Sequence, residues 1–91
     1  MRCLLSYDIG DDKRRRKVVK RLQRCAHRVQ FSVFEGEMTA IQWRSVWKDL
    51  EAIINPEKDG LLLVPICDAC SRGRRESGQT SRVQIWEDEV V

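Results

Sequence analysis

The stretch Leu4-Leu5-Ser6-Tyr7-Asp8-Ile9-Gly10 constrains this chain more than any other, because an apolar run of strand length ends there by presenting one carboxylate just before a turn. Residues 3–9 have the length and bounding signals of a buried strand, and Gly10-Asp11-Asp12 interrupts it before a helical pattern begins. Asp8 therefore belongs at the C-terminal end of a strand, the edge of an α/β layer where loops leave a crevice for ligands. An aspartate ahead of a helix also has a plain structural use as an N-cap, but Asp11 and Asp12 are nearer the helix and better placed for it. Asp8 is the first candidate for chemistry.

Beyond the turn, Val18, Val19, Leu22, Cys25 and Ala26 recur at helical spacing, so an amphipathic helix is predicted over residues 11–26. Arg14, Arg15, Arg16, Lys17, Lys20, Arg21 and Arg24 occupy much of its remaining surface. Nine of the chain's 17 Lys and Arg residues fall between Lys13 and Arg28, and the acidic cluster Glu87-Asp88-Glu89 lies at the far end. The net charge of +3 says little about partners, whereas this asymmetry points to one face for a polyanion. The alternative is a solvated basic face. Seven cations with no interleaved acid repel one another at i, i+3 and i, i+4, which favours a phosphate backbone as their partner.

Residues 27–38 are read as strand, because Val29, Phe31 and Val33 alternate against Gln30, Ser32 and Phe34. One long strand and a hairpin turning near Phe31-Ser32 both fit, since no Asn-Gly or Asp-Gly marks a turn. Phe34 points away from the Val29 face in the first case and returns to the core in the second. Thr39-x-x-Gln42 is a capping box opening a second helix to about Ile54, with Trp43, Trp47, Leu50 and Ile54 on its buried side and Asn55-Pro56 as its stop. Lys58-Asp59-Gly60 is a turn, and the continuous apolar run from Leu61 to Ile66 reads as a strand buried on both faces, with Pro65 near its end. Residues 68–78 read as a polar loop or short helical turn, and Arg82-Val83-Gln84-Ile85-Trp86 alternates as a last strand.

The 91 residues make one domain with a modest core and no room for a deep cleft of its own. No stretch is long and apolar enough to span a bilayer and no signal peptide is recognisable, so a cytoplasmic protein with reduced thiols is expected. Cys3 and Cys25 read as small buried hydrophobes. Only Cys67 and Cys70 have metal-like spacing, and a single C-x-x-C is weak evidence for zinc even with Cys25 and His27 as further ligands.

Strand, helix, strands, helix, strand gives an α+β sandwich with both helices on one face of a small antiparallel or mixed sheet. The other face needs a cover. In a chain this short the economical cover is a second copy, which makes a homodimer the expectation.

Ser6-Tyr7-Asp8-Ile9, Asp11-Asp12-Lys13-Arg14-Arg15 and Arg28-Val29-Gln30-Phe31-Ser32-Val33-Phe34-Glu35-Gly36-Glu37 together resemble, in order and spacing, the CRISPR-associated Cas2 proteins. The apolar strand ending at Pro65 and the Cys67-Asp68-Ala69-Cys70 turn extend the resemblance over most of the chain. It implies a ferredoxin-like β-α-β-β-α-β domain over residues 1–80, with residues 28–38 split into two strands. Residues 81–91 would form a C-terminal strand and tail packed on the partner of a homodimer. It also implies a role in spacer acquisition for antiviral defence beside a CRISPR integrase subunit. Many members are described as metal-dependent nucleases on RNA or DNA and others as scaffolds only.

Residue by residue, Asp8 matches the family's metal-binding carboxylate and Tyr7 its neighbour, while Arg15, Arg28 and Phe34 match positions implicated in nuclease function. Ser32 matches a serine beside the dimer site. Lys17 stands where some members carry arginine, which keeps the charge but loses a bidentate phosphate fork. Phosphodiester hydrolysis with Mg²⁺, or Mn²⁺, fits a carboxylate that leaves most of the ion's coordination to water and phosphate, and two Asp8 residues across a two-fold axis would strengthen the site. Arg14, Arg15, Arg16, Lys17, Arg21 and Arg28 are the candidate contacts to duplex DNA or single-stranded RNA. The competing reading is a non-catalytic dimeric scaffold that bridges the integrase and grips duplex DNA. A third is a single-strand binder stacking bases on Phe31, Phe34 and Tyr7.

Overall fold

The computed structural model describes residues 1–67. Its elements run β1 (Arg2–Asp8), α1 (Asp12–Gln23), β2 (His27–Gln30), β3 (Val33–Glu37), α2 (Ala40–Ile53) and β4 (Gly60–Ile66). The four strands form one sheet in the order β2-β3-β1-β4, and every neighbouring pair is antiparallel. This is the ferredoxin-like β-α-β-β-α-β arrangement, in which each helix carries the chain between strands that are not neighbours. The expected last strand at Arg82–Trp86, the division after residue 80 and Cys70 lie outside the described residues.

Register explains the core. Cys3, Leu5 and Tyr7 alternate to one face of β1, where Cys3 lies opposite Gly36 and Leu5 opposite Phe34. Val18 and Leu22 of α1 and Trp43, Val46 and Leu50 of α2 close on the same residues in one cluster, so both helices cover that face. Fully burying a side chain such as Phe34, Leu5, Leu22 or Leu50 contributes about 1.5–3 kcal/mol each. The opposite face carries Arg2, Leu4, Ser6 and Asp8, with Glu35 of β3 wholly buried and its Oε2 4.0 Å from Arg2 Nη1.

Both helix starts follow from their caps. Asp11 accepts the Arg14 N–H at 2.9 Å, and Asp12 adds an acid to the positive first turn. Thr39 and Gln42 make the expected reciprocal box, at 3.1 and 2.8 Å. The end of α1 comes three residues earlier than its apolar spacing predicts. There the chain leaves the helix to lie over β3, and a Cβ at Gly36 would stand 3.2 Å from both the Ala26 Cβ and the Cys25 carbonyl oxygen. A glycine in β3 is what lets the α1 exit approach so closely. In α2 the buried stripe is Trp43, Val46 and Leu50, while Trp47 and Ile54 pack only at its flank.

Residues 27–38 form the hairpin, turning at Phe31-Ser32 and returning Phe34 to the core with 1 % of its surface exposed. The expectation that β4 is buried on both faces is corrected: Leu62 and Val64 are 59 % and 38 % exposed. The apolar run does not distinguish a central strand from an edge one. In the described sheet β4 is an edge, with helices over the Leu61 and Leu63 side only.

Candidate functional site

Asp8 ends β1 on the face turned away from the helices, opposite Gly60 of β4, and its side chain is exposed. What sets it apart is the company of the other aspartates. Asp11 caps α1, Asp12 pairs with Arg15, Asp49 pairs with Arg21, and Asp59 holds both Arg14 and the Asn55 N–H. Among the described residues Asp8 is the one aspartate with no hydrogen bond or ion pair. Its carboxylate is therefore the one open to an external ligand. No group of three His, Cys, Asp or Glu side chains among the described residues is arranged to hold a metal. A hard divalent ion that keeps water in its shell needs only one or two carboxylates, so the exposed Asp8 carboxylate fits as one of them.

Tyr7, one residue earlier, points to the opposite face. Its ring lies 6.3 Å from that of Phe34, and the Arg28 guanidinium stacks over Phe34 at 5.3 Å from the ring centre. This cation–π contact follows from register, because Arg28 and Phe34 are directly paired across the hairpin. Burial pushes the Tyr7 phenol above its ordinary value of 10.0, with the charges of Arg28 and Arg15 pulling in the other direction. Tyr7 is thus a neutral hydrogen-bond donor near pH 7.

Tyr7 and Arg28 from the sheet, Phe31 from the β2–β3 turn and Arg15, Arg16, Lys20 and Gln23 from α1 line an open cleft of about 460 Å³. Arg15 Nη1 also donates to the Ile9 carbonyl at 3.3 Å, which fixes its stem where β1 runs into α1. Ser32 sits in the hairpin turn with φ 152°, a region L residues seldom enter. Its N–H donates to the Gln30 carbonyl at 3.0 Å, and its carbonyl accepts from the Tyr7 N–H at 3.1 Å. The structure thus brings Tyr7, Arg15, Arg28, Phe34 and the Ser32 backbone together around β1's end. Asp8 stands apart from them on the other face of the sheet.

The repulsion argument for α1 is corrected by tertiary contacts. Arg14 makes a two-pronged contact with Asp59, at 2.7 and 3.1 Å, and Arg21 Nε donates to Asp49 at 2.7 Å. These hydrogen bonds hold the Asp59 carboxyl below the usual range and raise the Arg14 and Arg21 guanidiniums. The acids missing from α1 come from α2 and from the turn before β4. Arg16, Lys17, Lys20 and Arg24 remain exposed, and among the described residues none of them makes an ion pair. Tyr7 and Phe34 are 4 % and 1 % exposed, which removes both as stacking platforms and leaves Phe31, at 74 %. Asp49 and Asp59 as neutralising partners, and Gln23 in the cleft, are not visible in the sequence pattern. Cys67 is exposed, and no helix among the described residues is long and apolar enough to cross a membrane.

The family model described as CRISPR associated protein Cas2 matches residues 1–74. A CRISPR-associated endoribonuclease Cas2 of Rhodospirillum rubrum is 37 % identical over 90 residues, spanning 99 % of this chain and 73 % of the relative. The crystal structure of Streptococcus pyogenes Cas2 superposes with a TM-score of 0.79 at 28 % identity, covering 86 % of this chain and all of that one. A hypothetical protein from Thermus thermophilus, also solved by crystallography, gives a TM-score of 0.78 at 25 % identity, covering 89 % and 94 %.

Proposed function

This chain belongs to the CRISPR-associated protein Cas2 family, and from that premise we propose that it is a metal-dependent endonuclease of CRISPR adaptation, working as a homodimer with Asp8 at its centre. The observation that carries the reading is the uncommitted Asp8 carboxylate, alone among the aspartates of residues 1–67 in having no partner. The dimer is supported by the face Asp8 occupies. Leu62 and Val64 pair in register with Ser6 and Leu4, so these exposed apolar side chains share the Asp8 face and a second copy covering them brings its own Asp8 toward this one.

Two Asp8 carboxylates would hold Mg²⁺ or Mn²⁺, which when bound supplies Lewis-acid polarisation of the phosphate and a water of lowered pKa. On the other face of the sheet, Arg28 and Arg15 bind phosphate oxygens elsewhere along the strand, with Arg28 held in place by the Phe34 ring and Arg15 by the Ile9 carbonyl. The neutral Tyr7 phenol offers a hydrogen bond to a phosphate oxygen in the same cleft. The exposed cations of α1 extend the backbone contacts to RNA or DNA, and the integrase subunit is the partner that spacer acquisition requires.

The test is cleavage of end-labelled single-stranded RNA, single-stranded DNA and duplex DNA by wild type and Asp8→Asn, with Mg²⁺, Mn²⁺ or chelator, alongside mass by light scattering. Loss of all metal-dependent cleavage in a variant that stays dimeric is the expected result. Cleavage that survives in Asp8→Asn removes Asp8 from the mechanism. A wild type that binds duplex DNA and cleaves nothing favours the scaffold.

A further inference from the structure

Phe31 is a large apolar side chain placed in water at the tip of a turn, outside the core cluster. The turn that presents it is fixed on both sides. The Ser32 N–H closes onto Gln30, the Ser32 carbonyl takes the Tyr7 N–H of β1, and Ser32 itself is held at φ 152°, where a serine is strained. Phe31 is therefore held out at the rim of the cleft whose other walls are Tyr7, Arg15, Arg16, Lys20 and Arg28.

We propose that Phe31 is a stacking platform for an unpaired base whose flanking phosphates are held by Arg15, Arg16, Lys20 and Arg28. The cleft then selects single-stranded nucleic acid, or a frayed duplex end, over paired duplex. This rests on the reading that the chain acts on nucleic acid, and it assigns that activity a residue that sets its preference between strand forms.

The cations by themselves do not discriminate, because both strand forms offer phosphates. A phenyl ring offers nothing to a phosphate but has a face for a base. In a duplex the base faces are stacked on one another, and only an unpaired nucleotide can turn one toward the rim. Stacking is tolerant of sequence and of sugar, so the inference holds for RNA and DNA alike. Tyr7 and Phe34 are buried, which leaves Phe31 as the aromatic ring of this cleft that can be stacked upon.

The test is equilibrium binding of the full chain in chelator, so that Asp8 chemistry plays no part. The probes are short single-stranded RNA and DNA carrying 2-aminopurine and a blunt duplex of the same length, each with wild type, Phe31→Ala, Phe31→Leu and Phe31→Trp. The expected result is a single-strand affinity lower by about tenfold in Phe31→Ala and Phe31→Leu, with loss of 2-aminopurine quenching and duplex affinity unchanged within about twofold. Phe31→Trp should retain both affinity and quenching. Equal losses on single strand and duplex, or no loss, overturn the proposal, as does a change of oligomeric mass in Phe31→Ala, which assigns the ring to a protein interface. A wild type that binds none of the probes defeats the nucleic-acid reading as well, whereas binding indifferent to Phe31 defeats the stacking role only.

Discussion

The cations of α1 divide into two classes that the sequence does not separate, and their contributions to nucleic-acid binding should divide the same way. Arg14 and Arg21 spend their charge on Asp59 and Asp49, at 2.7 Å each, whereas Arg16 and Lys20 line the cleft with no carboxylate partner among the described residues. Binding a single strand releases counterions in proportion to the phosphates neutralised, with a slope of log K against log salt of about 0.7 per contact. Replacing both Arg16 and Lys20 with Gln removes two contacts and should reduce the slope by about 1.4. At 0.1 M salt that corresponds to roughly a 25-fold loss relative to the 1 M extrapolation. Arg21→Gln removes a charge already balanced within the protein and should move the slope by less than about 0.3. Fluorescence anisotropy of a labelled single strand between 50 and 400 mM salt measures all three slopes, with thermal melting as the check on folding. If Arg21→Gln flattens the slope as much per charge as the cleft pair does, the Asp49 pair opens on binding and the division of α1 into structural and free cations is wrong.

Gly36→Val should cost about 1–3 kcal/mol in urea unfolding, because the new Cβ meets the Cys25 carbonyl and Ala26 at 3.2 Å, with further methyls to place, in a packed exit from α1. A change under about 0.5 kcal/mol would show that this crossing relaxes freely. The Arg14–Asp59 pair should give an acid limb to stability. Asp59 lies below its ordinary 3.8 in the fold, so its contribution is complete above about pH 5 and disappears as pH falls through the folded value. The gap in urea midpoint between wild type and Arg14→Gln should accordingly stay constant above about pH 5 and narrow as pH falls below that through the lowered folded value, and a gap that does not narrow on acidification refutes the pairing as its source.

Much of the frame was legible in the residues because local rules wrote it. The Asp11 cap, the Thr39-Gln42 box, the Asn55-Pro56 stop and the carboxylate at a strand end each depend on a few neighbours in sequence, and the structure has all of them. The hairpin at Phe31-Ser32 was ambiguous because its turn uses a strained serine in place of the usual Asn-Gly signal. The family resemblance implies the split into two strands, and the structure has it.

The sequence by itself determined the α+β class, the two helices with their caps, and Asp8 as the residue around which chemistry can be argued. Periodicity and capping are properties of neighbouring residues and survive without the fold. Tertiary structure alone decided which charges are free, because the acids that neutralise Arg14 and Arg21 arrive from Asp59 and Asp49, 45 and 28 residues away. It decided the exposure of β4, since an apolar run looks the same at the centre of a sheet as at its edge. It also placed Tyr7 and Asp8 on opposite faces of one strand, where the pleat sends neighbouring side chains in opposite directions: the buried ring lies in the cationic cleft, and the carboxylate lies on the far face with Leu62 and Val64.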